Sequence, residues 1–233
     1  MLSIIIPTLN EEDYLSLLLN SIKAQDFSDY EIIVADAGST DKTLAIAQKY
    51  GCAVVPGGLP GPARNHGAKI AKGDLLFFLD ADTTLPESFL TKALQEFSER
   101  KLGIASFFLR FKEPKHITIS LDVFYNKMAV VLEQTLPHSA VGILVKKSLF
   151  EKVKGYDELL KLSEDHDLSR RAQKQGAFGI IRSTEIMVSD RRFVKDGWLK
   201  TCAKYFLCEL HTIFIGPVKS DIFNYKFNHY KEP

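Results

Sequence analysis

Asp74-Leu75-Leu76-Phe77-Phe78-Leu79-Asp80-Ala81-Asp82 is the stretch from which the fold of this chain is read. Large apolar residues without polar alternation predict a strand buried on both faces. The run then breaks into two carboxylates one residue apart. Ionised aspartates at the carboxyl end of a buried strand are costly to leave unpaired, and a divalent cation is a common remedy. On a continuing strand Asp80 and Asp82 would point the same way, so that one or both reach a single Mn2+ or Mg2+ ion. The plainer alternative is a polar turn, with Thr83, Thr84 and Pro86 starting the next helix.

Outward from this stretch the same grammar repeats. Apolar runs at 2–6, 31–35 and 52–55 read as strands, and Leu15, Leu18, Leu19 and Ile22 recur at helical spacing between the first two. Further helices are expected near 42–47, with Ser39 or Thr40 as cap, and over 63–71. Strand and helix thus alternate four times in about eighty residues, with strands apolar throughout. That pattern predicts an α/β fold, a mostly parallel central sheet flanked by helices. Ligands collect beyond the carboxyl ends of such strands, where Pro7, Asp36 and Asp80 fall. Later elements are read as helices at 87–100, 117–136, 148–153, 167–175 and 198–214, with strands at 103–111, 140–145 and, more loosely, 180–188. No repeat or linker divides the chain, so one domain over 1–233 is expected.

Composition excludes more than it selects. Thirty basic against 29 acidic side chains, a net charge of +1, give no electrostatic case for a nucleic-acid partner. Cys52, Cys202 and Cys208 lack zinc-site spacing and read as reduced thiols. The amino terminus lacks the basic leader and length of a signal peptide, and no run of 18 apolar residues marks a span. The expectation is a cytoplasmic protein, or one at the inner face of the cytoplasmic membrane.

Several other groups carry chemistry. Asp36 ends a strand and opens a loop containing Gly38, where its carboxylate either meets a base or ribose hydroxyl or simply holds the turn. Asn10 and Glu11, after Pro7, are nucleotide-edge or solvated residues. Arg64 near a helix start could meet phosphate or stack on a base. No Gly-Lys-Ser/Thr follows the loop at 57–61, and no Gly-x-Gly-x-x-Gly turn follows the first strand, which argues against kinases and dehydrogenases. Ser163-Glu164-Asp165-His166-Asp167 holds more ionisable groups than a helix cap requires. Asp165 could remove a proton from an acceptor hydroxyl, with Glu164 orienting the site. His166 reads as a surface or metal-adjacent residue, and His138 as an orienting residue or second metal ligand. Arg191 and Arg192 would clamp a diphosphate or sit at anionic headgroups, unless they are a solvated pair beside Asp190 and Asp196. The apolar helix at 198–216 is suited to lying on a membrane, covering a cleft, or packing in the core or between two copies as a homodimer.

Ile4-Ile5-Ile6-Pro7-Thr8-Leu9-Asn10-Glu11, Val34-Ala35-Asp36-Ala37-Gly38-Ser39-Thr40-Asp41, Ala63-Arg64-Asn65-His66-Gly67, Leu79-Asp80-Ala81-Asp82 and Ser163-Glu164-Asp165, in this order, resemble family 2 glycosyltransferases with the GT-A fold. The resemblance covers residues 2–176, with Ala37 where the family often has a serine or an aspartate-glycine neighbour. It implies that Pro7, Thr8, Asn10, Glu11 and Asp36 hold the nucleoside, most often uridine. It places Asp80 near ribose or diphosphate, Asp82 on Mn2+ or Mg2+, and Asp165 as general base of an inverting transfer from a nucleotide-diphosphate sugar to a glycan, lipid or polyprenyl-phosphate acceptor. A nucleotide-binding half over 1–100, an acceptor half over 101–190 and a helical extension over 191–233 are then expected. A nucleotidyltransferase would want a basic loop where Thr8-Leu9-Asn10-Glu11-Glu12 stands. A non-catalytic nucleotide-sugar-binding protein is the alternative of a different class.

Overall fold

Adjacent apolar residues in each predicted strand face opposite cores, and this is what builds three layers. In the computed structural model, which describes residues 1–113, 115–220, 222 and 223 (His116 by backbone alone), the first strand is β1 (Leu2–Thr8). Its Leu2, Ile4 and Ile6 enter one core and Ile5 the other. The chain continues through α1 (Glu12–Lys23), β2 (Tyr30–Asp36), α2 (Thr43–Lys49), β3 (Ala53–Pro56), α3 (Pro60–Ile70), β4 (Leu75–Phe78) and α4 (Phe89–Glu99). Then follow β5 (Ile104–Phe111), α5 (His116–Val131), β6 (Ile143–Lys146), α6 (Lys147–Lys152), α7 (Glu164–Gln173) and β7 (Phe178–Val188), and finally α8 (Arg191–Asp196) and α9 (Trp198–Phe214).

The described strands form one sheet in the order β3-β2-β1-β4-β6-β5-β7. β1 pairs in parallel with β2 and β4, whereas β6 runs antiparallel to both β4 and β5. The sheet is therefore parallel over its first half and mixed over its second. β4 is its pivot. Phe77 stacks on Phe89 of α4, with ring centroids 5.8 Å apart, while Phe78 meets Phe150 and Tyr156 at 5.3 and 5.2 Å on the other face. Each such buried ring contributes about 1.5–3 kcal/mol over an exposed one. α1 and α4 cover the first face; α3, α6 and α7 cover the second. α3 lies so close to the sheet that a Cβ on Gly67 would stand 2.4 Å from Ile5 Cγ2.

Several local expectations change. β1 runs through Pro7 to Thr8, because beyond Ile5 it has only β2 as a ladder partner and a missing amide is tolerated there. Ser39 and Thr40 do not cap α2; Asp41 instead accepts from the Thr43 amide and hydroxyl. α5 ends at Val131 rather than 136, and just beyond it Glu133 is drawn inward to Arg100, Arg182 and the Ile180 amide. α7 starts at Glu164, so the acidic cluster is its first turn. Residues 221 and 224–233 of the expected extension lie outside the described residues.

Candidate active site

β1, β2 and β4 end at one edge of the sheet, and the loops leaving them are sewn together by short polar side chains. Thr8 Oγ1 donates to Asp36 Oδ1 at 3.0 Å, and the amides of Gly38 and Ser39 donate to Asp36 Oδ2 at 3.0 and 2.8 Å. Gly38, at φ +89°, supplies the left-handed turn. Asn10, itself left-handed at φ 52°, accepts from the Thr40 amide at 2.8 Å and donates its own amide to Ser39 Oγ at 2.8 Å. The Glu11 amide donates to Thr43 Oγ1. Pro7, Thr8, Asn10, Glu11 and Asp36 thus line one continuous rim.

Asp80 and Asp82 do not lie on a strand, as the parallel-pointing expectation required. β4 ends at Phe78, and a turn closed by the Thr83 amide and hydroxyl on the Asp80 carbonyl follows. The turn sends the two carboxylates to different cations. Asp80 Oδ1 accepts from Arg64 at 2.7 Å, while Asp82 Oδ2 lies 2.9 Å from Arg191 Nε, an ion pair not aligned as a hydrogen bond. Arg191 also forks onto both oxygens of Glu11, at 2.9 and 2.7 Å, and lies over the Tyr14 ring. Lys112 donates to the Asp82 carbonyl. Burial raises the pKa of Asp82 and of Glu11; Arg191 opposes it in both, and nearby Asp80 adds to it. Glu11, Asp80 and Asp82 therefore form a mutually repelling group of carboxylates with a guanidinium among them. Their oxygens are of the kind a hard divalent cation takes, but they are paired to arginines and do not converge as one ligand set. The expected two-arginine clamp is split, since Arg192 turns to Asp196 at 4.0 Å.

Arg64 links the turn after β4 to the first turn of α7. Rather than facing outward for a phosphate, its side chain is buried and its guanidinium meets Asp80 at 2.7 Å, Glu164 at 2.8 Å and Asp165 at 3.5 Å. Burial works against its charge, but Asp165, Asp80 and Glu164 outweigh it and hold its pKa well above normal. Asp165 accepts from the Tyr156 hydroxyl at 2.9 Å. Burial pushes the Asp165 carboxyl up to about 7, against Arg64 and with Glu164 and Asp80 reinforcing. A carboxylate poised there can take a proton at neutral pH.

His138 lies elsewhere, against His166 and Glu209 of α9. Their ligand atoms fall within 4.8 Å of one another, and among the described residues Asp80 and Asp82 do not close with a third such group in that way. Burial and His166 bring His138 down to about 3; the two histidines and Arg170 outweigh burial and hold Glu209 at about 2.

Sequence reading missed Tyr14, Lys112, Tyr156 and Glu209. Nothing local marks them. Glu209 sits in a helix read as apolar, and Tyr156 follows a helix-ending Gly155 like any packing aromatic.

The profile described as "Glycosyl transferase family 2" matches residues 3–153. Among curated proteins, the chain is 38% identical over 101 residues to poly(ribitol-phosphate) beta-N-acetylglucosaminyltransferase TarS of Staphylococcus aureus, a match covering 39% of this chain and 18% of that protein. It is 27% identical over 187 residues to glycosyltransferase AglE of Haloferax volcanii, covering 75% of this chain and 62% of the relative. The chain therefore spans less than two thirds of either relative. Among solved structures, TarS 1–349 with UDP-GlcNAc superposes at a TM-score of 0.65 and 24% identity, covering 81% of this chain and 58% of that one. The mannosyltransferase PcManGT from Pyrobaculum calidifontis, with GDP-Man and Mn2+, superposes at 0.72 and 19% identity, covering 94% and 65%. The shared architecture is GT-A.

Proposed function

Since the chain belongs to glycosyl transferase family 2, we propose that it transfers a sugar, with inversion at the anomeric carbon, from a nucleoside-diphosphate donor to a glycan, lipid or polyprenyl-phosphate acceptor. A UDP-sugar is the first donor to test. The observation that carries the reading is the Arg64 bridge. It brings Asp80, at the donor edge of the sheet, and Asp165, on the acceptor side, onto one buried guanidinium.

In the proposed reaction the rim from Pro7 to Glu11 and Asp36 receives the nucleoside, and Asp80 lies beside the ribose or diphosphate. The acceptor oxygen forms its bond to the anomeric carbon as the bond from that carbon to the diphosphate oxygen breaks. Asp165 takes the hydroxyl proton, held in aim by Tyr156 and Glu164's shared partner Arg64. Asp82 and Asp80 are the residues that would hold Mn2+ or Mg2+, which when bound supplies positive charge for the leaving diphosphate. Arg191, now paired with Glu11 and Asp82, is a side-chain cation at the same edge that would serve the same charge if released from them. With a polyprenyl phosphate the attacking oxygen is already ionised, and Asp165 then only positions the acceptor.

The outer face of α9 supports a lipid acceptor or surface. The side of this helix that packs inward is small and polar (Thr201, Cys208, Thr212), whereas Leu199, Phe206 and Phe214 are 86%, 64% and 80% exposed. No helix among the described residues is long and apolar enough to cross a membrane. The proposed location is the cytoplasmic side of a membrane, in peripheral contact through 198–216; a homodimer over the same face is the competing occupant.

A screen of UDP-, GDP- and dTDP-sugars, with and without Mn2+, tests the transfer. Nucleoside diphosphate should be released, and proton NMR of the product should show the inverted anomer. Tight donor binding without turnover on water or any acceptor would leave a non-catalytic binding protein instead. Sedimentation with anionic vesicles, against sedimentation velocity without them, separates membrane contact from dimerisation.

A further inference from the structure

His138, His166 and Glu209 come from three separate segments: the loop before β6, the first turn of α7, and the middle of α9. His166 Nδ1 stands 2.9 Å from Glu209 Oε2, and His138 Nδ1 stands 3.9 Å from Glu209 Oε1. The two imidazoles lie side by side with ring centroids 4.0 Å apart. His138 is 9% exposed, and its Nδ1 is buried without a hydrogen-bond partner. A buried unsatisfied nitrogen of this kind costs about 1–3 kcal/mol. Two imidazoles and a carboxylate brought together from distant segments, with one nitrogen left over, describe a ligand set short of its ion.

We propose that His138, His166 and Glu209 form a binding site for a single Zn2+-class cation, distinct from the oxygen cluster at Asp80 and Asp82. The chemistry selects the metal. Two nitrogens and one carboxylate suit zinc, whereas Mn2+ and Mg2+ favour oxygen. Zinc sits about 2.0–2.2 Å from such ligands, so the ligand atoms of a tetrahedral site are about 3.3–3.5 Å apart. The two imidazoles approach different oxygens of Glu209, at 2.9 and 3.9 Å, and one ligand atom from each residue lies within 4.8 Å of the others, so the side chains must draw together for the ion to bind. The proton now held between His166 and Glu209 is what the ion displaces. Arg170 hydrogen-bonds Glu209 and would remain as an outer partner orienting the carboxylate. Its charge counts against a cation and is the electrostatic cost the site must meet, since Glu164 and Asp165 are paired with Arg64 and Asp167 with Arg171. The ion would fasten α9 and the 138 loop to the turn that carries Asp165, with a fourth position left for water.

The test uses the full chain stripped with chelator and titrated with Zn2+, its content read by native mass spectrometry. One Zn2+ per chain is expected, with Tm rising by about 5–10 °C when Zn2+ exceeds its Kd a hundredfold. His138→Ala and Glu209→Gln should each weaken binding by at least about 100-fold. Asp82→Ala should leave it intact. X-ray absorption of the zinc-loaded wild type should show two imidazoles and no sulfur, which separates this site from Cys202 and Cys208 even where a variant fails to fold. Substoichiometric Zn2+ on the wild type, a sulfur ligand, undiminished binding by a folded Glu209→Gln, or loss of binding in Asp82→Ala would each overturn the assignment.

Discussion

Replacing Arg64 by methionine keeps much of the side-chain volume and removes the one charge that three carboxylates share. The magnitude follows from their exposure. Arg64 is 5% exposed, Glu164 14% and Asp165 24%, whereas Asp80 is 48% exposed and water can take over much of its pairing. The Asp80 arm is therefore worth about 0–1 kcal/mol. Stranding Glu164 and Asp165 is the larger effect, since leaving a buried charge without its partner costs about 3–5 kcal/mol. For a chain of this size that corresponds to a fall in Tm of about 6–20 °C. The sign of the pH dependence is fixed by linkage. Asp165 already has a folded pKa near 7, above its unfolded value, and losing Arg64 raises it further. A group raised in this way stabilises the fold at low pH and loses that contribution as pH rises. The deficit of Arg64→Met should thus be small near pH 4 and keep growing as pH rises above 7, until the raised pKa of Asp165 in the variant is passed. Urea unfolding followed by circular dichroism at both pH values measures it directly. In a double-mutant cycle, adding Glu164→Gln should recover at least about 1 kcal/mol relative to additivity. A variant within 1 kcal/mol of wild type at pH 8, or a deficit independent of pH, would refute the claim that Arg64 is the buried counter-ion of the site.

Asp165→Asn should slow nucleotide-sugar hydrolysis by about 10²–10⁴-fold, or about 3–5 kcal/mol in the barrier; because water is the acceptor here, a rate within threefold of wild type contradicts a base role. The wild-type rate should rise with pH through about 7 as the Asp165 carboxyl loses its proton, and Asp165→Asn should lack that limb. In Asp82→Ala, stimulation by Mn2+ of donor binding should disappear while the fold persists, as calorimetric titration with and without the ion would show; unchanged stimulation places the ion elsewhere. Gly57→Ala would put a Cβ 2.5 Å from the Asp36 carbonyl carbon. Because backbone cannot yield cheaply, a stability loss of about 1–3 kcal/mol is expected by urea unfolding, and a neutral result would mean the β2 and β3 loops are not locked together.

Much of this molecule is legible in one dimension. Apolar runs such as Ile4–Ile6 and Leu75–Leu79 announce a doubly covered sheet, because hydrophobic burial depends on which residues are apolar and at what spacing. The turn at Gly38 follows from local backbone chemistry, whereas the break of β4 after Phe78 stood only as the plainer of two readings of Asp80 and Asp82. For the same reason the candidate carboxylates could be named: they stand at strand ends and helix starts. Partnership is a different matter. Arg64 read as a residue that meets phosphate or stacks on a base, because nothing near it in sequence shows that Asp80, Glu164 and Asp165, up to 101 positions away, surround its guanidinium. Asp80 and Asp82 read as a matched pair, yet one turn sends them to Arg64 and Arg191. Glu209 reads in sequence only as a charged interruption of the apolar helix α9, and its partners His138 and His166 come from other segments. Burial of a charge and the identity of its counter-ion are properties of converging segments, and they alone set pKa values, ion sites and the poise of a base; only the folded chain determines them.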